Sequence, residues 1–88
     1  MSYRVALSRE AEKILDRIDR ATEQRLRTRL RELEANPFDP RISKLLTQAR
    51  GQRSSRVGGW RIIFDVNQAE GTVAVSSIRP RGQAYRRL

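Results

Sequence analysis

Apolar residues recur along the chain with two different periods, and the change between them divides the sequence into a helical part and a strand-rich part. Tyr3–Leu7 alternates apolar residues with polar or small ones, which predicts a short first strand. Ser8 is a predicted helix N-cap, because its hydroxyl can accept a hydrogen bond from the first turn. Apolar residues then follow at the i, i+3, i+4, i+7 spacing of one amphipathic helix: Ala11, Ile14, Leu15 and Ile18.

A second helix is predicted after a turn around Asp19–Thr22. Asn36–Pro37 ends it, because the residue before a proline is disfavoured in the helical region. Pro37–Gly51 is then a connector. Its apolar residues are expected to pack under the core: Ile42, Leu45 and Leu46. The apolar stripe of the second helix consists of three leucines: Leu26, Leu30 and Leu33.

Beyond Gly51 the spacing changes to the alternation that is typical of strands. The predicted strands are Arg53–Val57, Trp60–Val66 and Thr72–Ile78. The two-residue turn Gly58–Gly59 joins the first two strands, and Asn67–Gly71 joins the last two. The sequence therefore predicts one small α+β domain over residues 1–88. It has an N-terminal strand, an antiparallel helix hairpin and a three-stranded antiparallel meander, with the helices packed on one face of the sheet.

Composition narrows the chemistry that this domain can perform. The 88 residues include 19 Lys and Arg against 10 Asp and Glu, a formal charge of +9, and they include no His and no Cys. Disulfides, thiolate nucleophiles and imidazole acid–base catalysis are therefore excluded, and we predict neither a metal site nor a cofactor. The chain has no apolar run of 18 residues. We therefore expect a cytoplasmic protein with an anionic partner and no membrane contact.

Positive charge is concentrated in the second half of the chain. Residues 50–88 hold eight Arg against only Asp65 and Glu70, whereas residues 1–49 hold 11 basic and 8 acidic residues. Mixed charges on a helix are typical of a solvated face. Unpaired Arg on strands instead indicates phosphate binding, because the guanidinium fork matches phosphate oxygens.

The Gly58–Gly59 turn predicts that Arg56 lies directly opposite Arg61, on the face of the sheet away from the core. Like charges in directly opposite positions cost stability, so the pair indicates an anion site. The alternative is that both guanidiniums extend into water, or that Asp65 neutralises one of them. Alternation places the apolar side chains on the core face, and Trp60 is predicted to be a core residue and not a base-stacking platform.

The last strand is expected to extend this arginine surface. With Val66 opposite Thr72, Arg61 would face Ser77, and Arg79 would follow two residues later on the same face. Arg81 and Tyr85 come after Pro80, within reach of the same surface. An aromatic ring beside guanidiniums fits a nucleic-acid site, although the tyrosine could equally be a packing residue of the tail.

The string SRVGGWRIIFDV followed by AVSSIRPRGQAY resembles the RelE/ParE superfamily, the toxin halves of bacterial and archaeal toxin–antitoxin pairs. The family pattern is roughly R-x-G-x-[YW]-R-[IV]-[IV]-[YF], followed by a strand and by R-x-x-x-Y near the C-terminus. Arg56, Gly58 and Trp60–Phe64 match the first part, and Arg81 and Tyr85 match the second. The resemblance covers essentially the whole chain.

Members that resemble RelE cleave messenger RNA in the ribosomal A site without a metal ion. The RNA 2′-hydroxyl attacks the adjacent phosphate and leaves a cyclic phosphate. The resemblance implies that Arg61 contacts the scissile phosphate and that Arg81 stabilises its charge. It implies that Tyr85 stacks on a base or assists proton transfer.

Two positions depart from RelE itself, since Arg56 and Ser54 stand where RelE has lysines. We predict that both bind RNA phosphates, together with Arg53 and Arg79. Arginine is a poor base, and this half of the chain has no Lys or His, so the base is not identified. The candidates are Tyr85 and two carboxylates, or a ribosomal group. The two carboxylates are Asp65 and Glu70.

Three alternative functions are compatible with the same arginine-rich sequence. One is a ParE-like inhibitor of DNA gyrase, one is a non-catalytic RNA- or ribosome-binding translation inhibitor, and one is an Arg-rich structural domain. The resemblance also implies an acidic cognate antitoxin, with the ribosome and messenger RNA as further partners. Operator DNA would be contacted only through the antitoxin complex.

Overall fold

The computed structural model describes residues 2–46 and 51–80, which form two helices packed on one face of a five-stranded sheet. In chain order the elements are β1 (Arg4–Leu7), α1 (Arg9–Arg17), α2 (Arg20–Ala35), β2 (Lys44–Leu45), β3 (Arg53–Val57), β4 (Trp60–Asn67) and β5 (Thr72–Pro80). The strand order in the sheet is β1-β5-β4-β3-β2. β1 pairs with β5 in parallel, and every other pair is antiparallel. The predicted fold class is confirmed.

The helix termini follow the signals in the sequence. Ser8 Oγ accepts a hydrogen bond from the Ala11 N–H at 3.1 Å, and Asp19 Oδ2 accepts one from the Thr22 N–H at 3.0 Å. Each side chain thus satisfies a donor that a helix N-terminus leaves unpaired. The hydrogen bonds that Thr22 donates to Asp19 lower the pKa of the Asp19 carboxyl. α2 ends at Ala35, directly before the predicted stop.

The core lies between the helices and the sheet and consists of the predicted apolar stripes. The helices contribute Ala11, Leu15, Leu26, Leu30 and Leu33, and the sheet contributes Val57, Ile62, Phe64, Val73, Val75 and Ile78. Trp60 is half-buried and packs against this cluster, as predicted. No helix among the described residues is long and apolar enough to cross a membrane.

The connector differs from its prediction. Lys44–Leu45 forms a short strand that pairs with Ser54 and Arg53, and the Leu45 side chain is exposed instead of packing under the core. The physical reason is that β2 lies at the edge of the sheet, where the Leu45 side chain is beyond the residues of the core cluster. Ile42 does pack against the core, and Leu46 is half-buried.

The pairing of β4 with β5 also differs from its prediction. Val66 pairs with Val73 instead of Thr72, because the connecting turn is one residue shorter than expected. A register shift at Ile63/Phe64 then leaves Ser76 as an extra residue of β5, a β-bulge. The two one-residue shifts together restore the predicted alternation of faces, but they bring Arg79, and not Ser77, opposite Arg61.

Candidate functional site

Three arginines stand in one row across three neighbouring strands. Arg56 pairs with Arg61, as predicted, and Arg61 pairs with Arg79. Directly opposite residues project to the same face with Cβ atoms about 5 Å apart. The three side chains therefore share the sheet face that points away from the helices. We call them the arginine row. Arg56 and Arg79 are exposed, and Arg61 is half-buried.

A pocket of about 480 Å³ opens beside Arg56 and Arg61. Ten of the described residues line it: Arg29, Pro40, Arg41, Ile42, Ser43, Lys44, Leu46, Ser54, Arg56 and Arg61. Five of them are cations and none is an Asp or Glu, so we call it the cationic pocket. Its volume falls within the range of about 300–1,000 Å³ that is typical of small-ligand sites. The pocket therefore has the size and the charge to take a small anionic group.

Arg29 reaches the pocket from α2 and holds the edge of β3. Its Nη1 donates to the Ser55 hydroxyl at 2.8 Å and to the Arg56 carbonyl at 2.9 Å. Its Nε donates to Glu32 Oε1 at 2.8 Å. Ser55 is only 1% exposed, so its hydroxyl needs a partner within the protein. Arg29 thus fixes the backbone that carries Arg56.

The connector supplies the facing wall of the pocket. Arg41 is paired with Asp39, with Nη2 and Oδ2 3.0 Å apart, and Asp39 Oδ1 also accepts the Arg41 backbone N–H at 3.0 Å. These hydrogen bonds lower the pKa of Asp39, and the side-chain pairing raises the pKa of Arg41. The Asp39 carboxylate therefore orders the loop. Asp39 is not among the described residues that line the cationic pocket.

Lys44 lies on the same wall as Arg41. Its side chain is exposed, and no carboxylate of the described residues lies within ion-pair distance of it. It pairs with Ser54, which also lines the pocket. Ser54 is thus next to the arginine row, where the sequence predicted a phosphate-binding residue.

Arg53 lies on the other face of the sheet. It pairs with the buried Phe64, and neighbouring residues of a strand alternate between faces. Its Nε donates to the Ser43 hydroxyl at 2.7 Å, and its guanidinium carbon lies 5.1 Å from the centre of the Phe38 ring. The structure therefore does not bring Arg53 to the arginine row.

The predicted proton acceptors among the described residues lie away from the pocket. Asp65 is exposed four residues along β4 from Arg61, a distance of about 13 Å at the usual rise per residue. Glu70 lies in the turn between β4 and β5. Arg81 and Tyr85 lie outside the described residues. No group of three or more potential metal ligands occurs in residues 2–46 and 51–80.

Sequence reasoning missed three of the five cations that line the pocket: Arg29, Arg41 and Lys44. Arg29 had a detectable signal, since it lies three residues after Leu26 and one before Leu30, at the border of the buried stripe. Arg41 and Lys44 had none, because they lie in a connector without periodicity, and pairing as short as that of β2 leaves no alternation to detect.

Solved structures of toxins share this fold. A chain of the archaeal RelE–RelB complex from Pyrococcus horikoshii OT3 matches with a TM-score of 0.81 and 24% identity, covering 94% of this chain and 99% of that one. The intact RelBE toxin–antitoxin complex of E. coli gives 0.78 and 17%, covering 90% and 96%. The YoeB/ParE toxin from Agrobacterium tumefaciens gives 0.73 and 15%, covering 88% and 96%. At these identities the likeness concerns the fold.

Comparison of the sequence with known proteins and family models gives information beyond the fold. No curated protein is similar enough in sequence to match this chain. Residues 5–85 match the family model described as the ParE toxin of the type II toxin–antitoxin system parDE. That match covers nearly the entire chain and agrees with the RelE and YoeB/ParE folds of its structural neighbours. The chain therefore belongs to the ParE toxin family, within the RelE/ParE superfamily of type II toxin–antitoxin toxins.

Proposed function

We propose that this toxin is a metal-independent endoribonuclease that cuts messenger RNA in the ribosomal A site and so inhibits translation. The observation that carries the proposal is the arginine row beside a pocket that the described residues line with five cations and no carboxylate. Phosphoryl transfer by an RNA 2′-hydroxyl needs stabilisation of the charge that develops on the phosphate. Fixed guanidiniums supply such stabilisation without rearranging during the reaction.

In this proposal the residues of the arginine row and its surroundings have separate roles. Arg61 contacts the scissile phosphate from the centre of the row. Arg56 and Arg79 flank it and bind phosphates, and Ser54 can donate its hydroxyl from the pocket wall. Arg81 stabilises the transition state, and Tyr85 stacks on a base or assists proton transfer, as the family resemblance implies.

The proposed partners follow from charge and from family membership. Several structural neighbours are toxins in complexes with RelB antitoxins, and this chain carries a formal charge of +9. We therefore propose a cognate acidic antitoxin that covers the arginine row, with operator DNA contacted only through that complex. Association driven by charge is expected to be sensitive to salt. The ribosome, messenger RNA and a cytoplasmic location belong to the same proposal.

The direct test maps messenger-RNA 5′ ends in a translating cell-free reaction. Wild type, Arg61→Ala and Tyr85→Phe are compared with Arg17→Ala, an exposed arginine of α1 that serves as the control. New ends in the A site that disappear with Arg61→Ala and persist with Arg17→Ala support the nuclease. Intact messages with translation halted would instead indicate a binding block without cleavage.

The second candidate is inhibition of DNA gyrase, and a specific observation favours it. The family model that matches residues 5–85 is that of ParE. A supercoiling assay with purified gyrase separates the two candidates, because a nuclease leaves supercoiling unchanged. Loss of supercoiling at concentrations that leave translation unaffected would replace the endonuclease proposal.

A further inference from the structure

Among the described residues, the cationic pocket is lined by one amine and four guanidiniums. That amine belongs to Lys44, and the guanidiniums belong to Arg29, Arg41, Arg56 and Arg61. We propose that Lys44 is the general base of the endonuclease reaction, the group that accepts the proton of the attacking 2′-hydroxyl. The inference rests on the proposed endonuclease function and adds a catalytic residue to it.

Sheet pairing places Lys44 beside the arginine row. Lys44 is directly opposite Ser54, and Ser54 and Arg56 lie two residues apart on the same face of β3. Diagonal neighbours of this kind have Cβ atoms about 7–8 Å apart, and the flexible four-carbon stem of lysine spans much of that distance. Arg56 is directly opposite Arg61. A phosphate held by those two arginines therefore lies within reach of the amine.

Among the described residues that line the pocket, the chemistry of the side chains favours Lys44 as the proton acceptor. An amine can give up its proton and act as a base, whereas a guanidinium stays protonated at any accessible pH. The other lining side chains are hydroxyls of Ser43 and Ser54 and apolar groups. Within the part of the chain that the structure describes, the charged groups that line the pocket with Lys44 come from α2, the connector, β3 and β4, and all of them are guanidiniums.

The absence of a neighbouring carboxylate matters for this role. A carboxylate in contact with an amine favours its protonated form and would prevent it from acting as a base. Among the described residues, the ion pairs involve Glu23, Glu32 and Asp39, each with an arginine. Lys44 takes part in none of them, so no carboxylate of the described part of the chain is in ion-pair contact with its amine.

The reaction step is balanced as follows. The neutral amine of Lys44 takes the proton of the 2′-hydroxyl and becomes an ammonium ion. The 2′ oxygen forms a bond to the adjacent phosphorus, the bond from phosphorus to the 5′ oxygen breaks, and that oxygen takes a proton from solvent. The products are a 2′,3′-cyclic phosphate and a 5′-hydroxyl. The ammonium ion returns its proton to water before the next turnover.

The test compares Lys44→Arg with Lys44→Gln in single-turnover cleavage of messenger RNA on purified ribosomes. Lys44→Arg keeps the positive charge but cannot act as a base, so cleavage should fall about 10²- to 10⁴-fold while ribosome binding stays at the wild-type level. Lys44→Gln should lose cleavage to the same extent and also weaken binding. Lys13→Arg, an exposed lysine of α1, serves as the matched control and should behave as wild type.

A pH series supplies a readout that a binding role would not change. The wild-type rate should rise with pH, as expected for catalysis by a general base, and the residual rate of Lys44→Arg should lose this dependence. Equal melting temperatures would show that the variants fold. The inference is overturned if Lys44→Arg cleaves like wild type, or if it loses binding together with cleavage. If wild type itself leaves all messages intact, the endonuclease proposal fails instead.

Discussion

The contacts of Arg29 show how one side chain supports the site without belonging to the arginine row. Its guanidinium satisfies the buried Ser55 hydroxyl and the Arg56 carbonyl at 2.8 and 2.9 Å. Arg29→Met leaves both acceptors without this donor. We expect the free energy of unfolding in urea to fall by about 1–3 kcal/mol, the cost of leaving the buried Ser55 hydroxyl without this donor.

Arg27→Met is the matched control for Arg29→Met, because it removes an arginine from the same helix. Arg27 forms only a partly exposed i,i+4 ion pair with Glu23 at 2.8 Å. Such pairs contribute about 0.3–0.5 kcal/mol. Equal urea midpoints for the two variants would contradict the role assigned to Arg29.

Gly58 in the turn between β3 and β4 adopts a backbone conformation that disfavours any side chain. Its φ is +58°, and a Cβ there would lie 3.0 Å from Arg25 Nη2. We therefore expect Gly58→Ala to destabilise the fold by about 1–2 kcal/mol, the usual cost of the left-handed conformation for an L-residue. Gly59 is the control, since its φ is not positive and a Cβ added to it would have no neighbouring atom within 4 Å. Thermal melts should show Gly59→Ala close to wild type.

At the scale of elements, α2 contacts the sheet at two places where strand backbone would otherwise lack a partner. At one end of the helix, Glu34 accepts the Val5 N–H of β1 through Oε2 at 3.0 Å, and its carbonyl accepts the Tyr3 N–H at 2.7 Å. Nearer the middle of the helix, Arg29 donates to the Arg56 carbonyl of β3. Unpaired strand edges invite association with other chains. The polar side chains of α2 therefore protect the sheet while its leucines build the core.

The start of α2 gives a prediction about acid stability. Hydrogen bonds from Thr22 lower the pKa of Asp19 from its ordinary value of 3.8. A depressed carboxyl pKa contributes stability that is complete above the unfolded-chain value and is lost as the pH falls through the folded value. Asp19→Asn keeps a capping oxygen but has no charge. Its melting temperature should lie below that of wild type at pH 5–7, and the difference should disappear as the pH falls through the lowered pKa of Asp19 in the folded protein. A constant difference across that range would contradict this account.

The elements that could be predicted from the sequence are those with many periodic positions. Leu26, Leu30 and Leu33 mark one helix face, and Ser8 carries its capping signal in its own side chain. β2 could not be predicted, because two residues have no period. The β4–β5 register depended on the bulge at Ser76, whose carbonyl accepts the Ser8 hydroxyl at 2.8 Å. That contact joins residues 68 positions apart, beyond what local pattern can indicate.

In the candidate site, too, some residues could be predicted from the sequence and others could not. The Arg56–Arg61 pair could be predicted because a two-residue turn fixes which residues oppose each other. The contribution of Lys44 could not, since it depends on the path of the connector back to the edge of β3. Arg53 pairs with the buried Phe64 and so lies on the face opposite the arginine row, which its charge alone does not indicate. Pairing between neighbouring strands could therefore be predicted from the sequence. The meeting of distant segments at one pocket could not.

For the whole molecule, the question is whether net charge or its placement governs binding. A formal charge of +9 attracts any polyanion. The structure places Arg56 and Arg79 on the arginine row, whereas Lys13 and Arg17 are exposed on α1, packed on the other face of the sheet. Two double variants, Arg56→Gln with Arg79→Gln and Lys13→Gln with Arg17→Gln, therefore lower the net charge equally at different places.

Binding of a fluorescent single-stranded oligoribonucleotide at several salt concentrations separates the two explanations. Each lost phosphate contact on a single strand reduces the slope of log K against log salt by about 0.7. The arginine-row variant should therefore lose about 1.4 from its slope, because both side chains are expected to contact phosphates. The α1 variant should keep the wild-type slope, since its charges act only at long range and are screened within about 10 Å at 0.1 M salt. Equal losses in the two variants would mean that binding follows net charge, and that the arginine row is not where RNA lies.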